Sequence, residues 1–147
     1  MQKFPTRSLI IVGLLISVTS VLANLLFFAL TQALGEKYIL PLNENPVQSE
    51  PMPILMVILA TAIPAILATF LFGFLHKVTP LSVLPTFLSI CFTALLISFG
   101  GPLDLPGTGI QTKILLSSMH VIAAIIIIGG LIIFHSRNKI TTETENQ

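Results

Sequence analysis

Two polar side chains, Asn24 and His120, lie far inside long apolar runs of this 147-residue chain. Each has a hydroxyl nearby on the same side of a helix, with Ser20 before Asn24 and Ser117 before His120. A buried amide loses roughly 2–7 kcal/mol of hydration unless it is hydrogen-bonded, and an imidazole has the same need. We therefore expect Asn24 and His120 to meet directly or across one water molecule. Such a pair either fixes two helices together or handles a ligand or a proton, and the sequence leaves both readings open.

The remaining reactive residues form no catalytic or metal-binding set. His76 and His135 could in principle clamp a haem or a metal, but no third ligand accompanies them, and we expect both to be solvated. Cys91 is alone, which excludes the paired-cysteine chemistry of membrane thiol oxidoreductases. The chain also lacks paired carboxylates, a Ser/His/Asp set and a glycine-rich phosphate loop. We predict a protein that is not an enzyme and that has no cofactor or metal.

Four runs without a charged residue predict the helices that position these side chains. They cover 8–35, 51–76, 78–103 and 114–136, and a helix needs about 20 apolar residues to cross the hydrocarbon core. The composition agrees, with 54% hydrophobic and only 9% charged residues. We predict an all-α membrane protein, a single domain over 1–147 that forms a four-transmembrane-helix, up-down-up-down bundle. The predicted helices are 8–34, 52–75, 81–99 and 113–134, followed by a disordered tail at 136–147.

The distribution of basic residues predicts the orientation of the bundle. Lys and Arg are concentrated at both termini and in the middle connection, and the other two connections hold only Lys37 and Lys113. Cytoplasmic segments are enriched in Lys and Arg, so we predict cytoplasmic N- and C-termini in a plasma (inner) membrane. The first run also resembles a signal peptide with a cleavage site at Val21-Leu22-Ala23. Its apolar stretch continues well beyond that point, which favours an uncleaved helix.

Each predicted helix carries one stripe of small or polar residues, which we expect to face the bundle interior. Membrane helices associate through close approach at small residues and through hydrogen bonds, so packing is the favoured explanation of the stripes, and a cavity or path for a small molecule is the alternative. Pro64 should kink the second helix. In chain order the stripes are Gly13, Ser17, Ser20, Asn24 and Thr31; Thr61, Ala65, Ala68 and Phe72; Ser82, Thr86, Ser89, Thr93 and Gly100; Lys113, Ser117, His120 and Ala124.

Several segments are similar to a known family. SVTSVLANLLFFALTQALG in the first helix, the proline in the second, GGPL after the third and KILLSSMHVIAAIIIIGGL in the fourth resemble a family of small bacterial four-helix membrane proteins. That family is catalogued as a domain of unknown function, so the resemblance implies a fold and no activity. We expect a non-enzymatic structural or partner-binding membrane component. The alternative is a small transporter or ligand-binding protein that uses Asn24 and His120. The expected partners are the lipid bilayer and other membrane proteins or further copies of the chain, with no nucleic acid.

Overall fold

A computed structural model describes residues 6–41, 49–79 and 82–145 of the chain. In these residues, four helices are long and apolar enough to cross a membrane, which confirms the predicted fold class. The elements in chain order are helix α1 (Thr6–Ala33), strands β1 (Ile39–Pro41) and β2 (Ser49–Pro51), and helices α2 (Ile54–Val78), α3 (Val83–Ser98), α4 (Gly100–Leu103) and α5 (Ile110–Glu145).

The long helices close into a four-helix bundle. Helix α1 packs against α2 and α5, α3 packs against the same two helices from the opposite side, and α2 and α5 also touch across the centre. The predicted adjacency of the first and last helices is therefore confirmed. We call the end of the bundle that carries the strands the loop end. The opposite end, where residues 79–82 connect α2 to α3, is the turn end.

The connections and the C-terminal segment differ from the sequence-based expectations. The first connection contains a two-stranded antiparallel ribbon in which Ile39 pairs with Pro51. Residues Gly100–Leu103 form a single helical turn, although the glycine- and proline-rich sequence predicts a loose loop. Helix α5 continues to Glu145, through most of the segment predicted to be disordered. No glycine or proline follows Gly130, so nothing in the local sequence terminates that helix.

The apolar interior is divided into two clusters. The turn-end cluster centres on Phe72, Phe87 and Leu131, which are fully buried. The rings of Phe72 and Phe87 meet edge to face, with their centroids 5.0 Å apart. The loop-end cluster contains Phe28, Tyr38, Val57, Leu116 and Met119. Both clusters draw residues from the facing sides of three or more elements, so they hold the bundle closed at its two ends.

The small and polar stripes of α1 and α2 lie mostly in the interior, as predicted. Gly13 lies so close to Thr69 that a Cβ added at Gly13 would come within 2.7 Å of the threonine Oγ1. Ser20 and Asn24 are also buried. Small residues permit this close backbone approach, which is how membrane helices gain contact without a hydrophobic driving force.

The predicted interior stripe of the third helix is wrong. Ser89 and Thr93 are exposed on the outside of α3, and the helix instead buries Val83 and Phe87. Each outward hydroxyl donates to the carbonyl one turn earlier, Ser89 to Pro85 at 3.0 Å and Thr93 to Ser89 at 2.9 Å. A hydroxyl that is satisfied within its own helix can face lipid at little cost. The polar spacing of α3 therefore carried no information about its inward side.

Candidate functional site

Asn24 joins three helices through one side chain. It is 2% exposed, and its Nδ2 donates to Thr61 Oγ1 of α2 at 2.9 Å and to the carbonyl oxygen of Met119 of α5 at 3.1 Å. The sequence places a small residue or a hydroxyl on the interior side of α1 at each turn, and this brings the amide within reach of both neighbours. Asn24 is therefore a cross-link between α1, α2 and α5.

The hydrogen-bond partners fix which way the Asn24 amide points. The carbonyl of Met119 can only accept a hydrogen bond. The Thr61 hydroxyl donates its single hydrogen to the carbonyl of Val57 at 2.8 Å, so it too accepts from Asn24. Both contacts therefore require the NH₂ group. The remaining atom, Asn24 Oδ1, is buried and has no hydrogen-bond partner in the described part of the protein.

The predicted direct hydrogen bond between Asn24 and His120 is wrong. His120 is half-buried, and its Nδ1 lies 2.9 Å from the carbonyl oxygen of Leu116 in its own helix. Asn24 instead contacts the backbone of Met119, the residue before His120. Helix α5 buries Leu116, Met119 and Ala123, and the predicted stripe one position later is only half-buried. An imidazole can also bond to its own preceding turn, so His120 needs no partner on α1. A bridge through one water molecule stays a prediction.

Ser20 and Ser117, the two hydroxyls predicted beside this pair, are also in the interior. Ser20 is fully buried and Ser117 is half-buried. The Oγ atoms of both are inaccessible to solvent and have no hydrogen-bond partner within the described residues. Neither residue lies on the wall of the cavity described next. The structure therefore separates these serines from Asn24 and His120, which do share that wall.

A partly open cavity of about 270 Å³ lies between α1, α2, α3 and α5. Its polar wall residues are Asn24, Thr61, Ser98 and His120, and the thiol of Cys91 adds a weakly polar group. Leu, Ile, Val, Met, Ala and Pro side chains form the rest. A mostly apolar cavity with a few convergent polar groups is typical of small-molecule sites. Sequence reasoning found Asn24, Thr61 and His120 on interior stripes, whereas Cys91 and Ser98 gave no signal of their own.

The loop end of the cavity is closed by packed side chains. Val57, Leu116 and Met119 belong to both the cavity wall and the loop-end cluster. Tyr38 covers that cluster, with its ring 4.7 Å from the ring of Phe28 and its hydroxyl 2.6 Å from Thr31 Oγ1. Tyr38 and the described residues beside it therefore form a lid over the cluster.

Two polar contacts hold this lid against the helices. The Thr112 hydroxyl of α5 donates to the Glu36 carboxylate, which ties the start of the connection to the last helix. Burial raises the pKa of Tyr38; the hydrogen bond with Thr31 opposes this shift, and the nearby Glu36 carboxylate adds to it. Tyr38 is thus held in its neutral, hydrogen-bonding form.

The histidines predicted to be solvated at the turn end meet instead. The rings of His76 and His135 have centroids 5.3 Å apart, and both pack on Phe72 at 4.7 and 6.0 Å. Each is half-buried. In the described residues no group of three or more His, Cys, Asp or Glu side chains is placed to hold a metal ion. The prediction that the chain binds no metal remains a prediction.

Four helices of membrane-spanning length and apolar composition in the described residues fit a multi-pass membrane protein. The chain belongs to a family of unknown function, DUF6069, whose family model matches residues 4–137. The resemblance to a family of unknown function is thereby confirmed. No curated protein and no solved structure matches the chain.

Proposed function

We propose that this protein binds a small, largely apolar molecule within the membrane, in the cavity bordered by Asn24 and His120. The observation that carries the proposal is the unpaired Oδ1 of Asn24. The two interhelical hydrogen bonds explain the NH₂ group of Asn24, but they leave Oδ1 without a partner. An unsatisfied buried acceptor costs about 1–3 kcal/mol, and such groups call for an explanation beyond packing.

The cavity favours binding over simple scaffolding. A protein that served only to pack helices against partners would gain stability from a filled interior, because interiors pack to the density of organic crystals. Here the space lies next to the most polar buried side chain of α1. The coincidence of an unfilled volume and an unpaired acceptor supports a ligand site rather than a structural hydrogen bond alone.

The position of the cavity also favours a binding protein over a conduit. Phe72, Phe87 and Leu131 fill the turn end without leaving exposed surface, and the loop-end cluster closes the other end. A pathway normally presents several ionisable groups at membrane depth, whereas His120 is the one ionisable side chain besides Cys91 on this wall. Binding without transport, and without catalysis, is the reading that these features support.

We place the protein in the plasma membrane of a bacterium, with both termini in the cytoplasm. The support is the concentration of Lys and Arg in the terminal segments and in the connection between α2 and α3. In this orientation the lid formed by the first connection faces outward, and the cavity lies in the outer half of the bilayer.

Mass spectrometry of the intact purified protein tests the proposal. Wild-type protein in lipid nanodiscs should carry a bound small molecule at close to one per chain. Ala124→Phe places a large side chain in the cavity wall and should remove that molecule. The matched control is Ala29→Phe, because Ala29 is exposed on α1 and does not border the cavity.

Circular dichroism must show that both variants keep the wild-type helix content. Equal occupancy in the two folded variants, or no bound molecule in the wild-type protein, would contradict the proposal.

A further inference from the structure

The cavity wall offers hydrogen-bond acceptors and almost no donors. The inference that follows rests on the proposed function, because it takes the cavity as a ligand site. We infer that the cavity selects a hydrogen-bond donor, an alcohol or amine on a small apolar body, which enters from the bilayer between α2 and α3.

Asn24 supplies the first acceptor. Both of its amide hydrogens are engaged, one by Thr61 Oγ1 and one by the Met119 carbonyl. Neither of these partners can exchange roles with Oδ1, because both must accept. Oδ1 has almost no accessible surface in the structure, so a ligand reaches it only when the wall side chains shift. The ligand then meets a carbonyl oxygen, which accepts hydrogen bonds and cannot donate one.

His120 supplies a second acceptor. The carbonyl of Leu116 lies 2.9 Å from Nδ1 and requires the hydrogen on that nitrogen. In the neutral ring the other nitrogen, Nε2, then carries a lone pair and accepts. Fixing one ring nitrogen with a backbone carbonyl is the usual way in which a protein sets the role of the other.

Pro64 leaves a third acceptor, the carbonyl oxygen of Ala60, without its usual donor within α2. Proline has no N–H, so it cannot donate to the carbonyl of Ala60 one turn earlier. Both residues border the cavity. The missing hydrogen bond within α2 therefore falls at the wall of the site, where a ligand donor could replace it.

The hydroxyl hydrogens of the wall are already engaged. Thr61 donates to Val57 at 2.8 Å, and Ser98 donates to Leu95 at 2.7 Å. The Cys91 thiol remains, and a thiol is a weak donor. A ketone, ether or ester would find no strong donor here, whereas a hydroxyl or amine would find several acceptors.

The route into the cavity is lateral. The two packed clusters close the ends of the bundle, while Ala60, Pro64 and Ala94, all on the cavity wall, are exposed on the outer surface of α2 and α3. These small side chains mark a gap that opens toward lipid. Large apolar residues are also exposed on the loop-end half of α3, where Phe92 is 62% and Ile97 is 73% exposed.

A pair of fluorinated probes that differ only in the donor tests the selectivity. The probes are 4-(trifluoromethyl)phenol and its methyl ether, and ¹⁹F NMR reports binding to the full chain in lipid nanodiscs. Nanodiscs without protein correct for partitioning into lipid. Wild-type protein should bind the phenol about tenfold more tightly than the ether, since a tenfold difference corresponds to roughly one net hydrogen bond. Asn24→Leu should reduce this preference, because it removes one of the three acceptors, and should leave the affinity for the ether within about twofold.

The outcomes separate the two proposals. If wild-type protein binds both probes equally, the selectivity for donors is overturned and the binding site stands. An unchanged phenol preference in Asn24→Leu overturns the assignment of Asn24 as an acceptor for the ligand. If neither probe binds, whereas a different molecule co-purifies in the nanodisc experiment above, the donor inference alone fails. If nothing binds in either experiment, the proposed function fails as well.

A second pair of variants tests the route. Ala94→Phe places a bulky side chain at the gap, and Leu96→Phe changes an exposed residue of the same helix that does not border the cavity. The dissociation rate of the phenol should fall by about tenfold or more in Ala94→Phe, as expected when an access path is obstructed, and should stay at the wild-type value in Leu96→Phe. Equal rates in both folded variants would overturn lateral entry.

Discussion

Replacing Thr61 by valine should weaken the bundle more than replacing Thr69 by valine, and the difference should measure the hydrogen bond from Asn24. Both threonines are buried on the same side of α2. Each donates to the carbonyl four residues earlier, Thr61 to Val57 at 2.8 Å and Thr69 to Ala65 at 2.9 Å. Valine preserves the shape of threonine and removes the hydroxyl in either case.

The expected difference in unfolding free energy comes from the one hydrogen bond that Thr61 makes and Thr69 does not. The loss of a hydroxyl that bonds to its own helix is common to both variants and cancels in the comparison. Thr61 alone also accepts the Nδ2 of Asn24 at 2.9 Å. Interhelical hydrogen bonds in membranes average about 0.6 kcal/mol and reach about 1.7 kcal/mol. Thr61→Val should therefore lower the free energy of unfolding by about 0.6–1.7 kcal/mol more than Thr69→Val.

A double-mutant cycle assigns this difference to the Asn24 contact. Asn24→Leu, Thr61→Val and the double variant are unfolded by titrating a denaturing detergent into mixed micelles. Loss of helix is followed by far-ultraviolet circular dichroism, since the chain contains no tryptophan. The coupling energy between the two positions should equal the excess loss measured for Thr61→Val. The corresponding cycle with Thr69→Val should give additive effects.

Two results would show that this reasoning is wrong. A loss for Thr69→Val as large as that for Thr61→Val would mean that the interhelical bond contributes nothing measurable. Additivity between Asn24→Leu and Thr61→Val would mean that the amide is held mainly by the Met119 carbonyl.

Three further predictions follow from the packing, the lid and the charge distribution. Gly13→Ala should lower the unfolding free energy by about 1–3 kcal/mol through overpacking against Thr69. Gly129→Ala should not lower it, because no described atom beyond its chain neighbours and its own helix backbone lies within 4 Å of the added Cβ. Equal effects of the two substitutions on unfolding in detergent would refute this prediction. Burial raises the folded-state pKa of Tyr38 above 10.0, so the stability from its protonated form is complete below about pH 10 and is lost as the pH rises through the folded-state pKa. Tyr38→Phe should remove this alkaline loss from a pH series of unfolding curves, and an unchanged series would count against the lid contact. A cysteine at Asn45, which lies outside the described residues, should react with an impermeant reagent added outside intact cells; reaction from the cytoplasmic side alone would reverse the predicted orientation.

The sequence by itself determined the number of helices long enough to span a membrane and part of the interior side of the first two. Charge-free runs of bilayer length leave a spanning helix as the stable state, because backbone groups in lipid must be paired within the segment. Gly13, Ser20 and Asn24 were predicted on one interior side, and they lie there. Small and amide residues on α1 have few uses except against another helix, so their spacing was informative.

Tertiary structure decided which groups meet. Each helix is apolar on nearly all sides, so the bilayer does not fix its rotation, and side-chain packing sets it instead. Asn24 donates to the backbone carbonyl of Met119. Every residue has such a carbonyl, so no sequence pattern could indicate this partner. Ser89 and Thr93 turned outward because their own helix satisfied them. The cavity and its gap depend on where packed side chains leave space, and only the assembled bundle determines that.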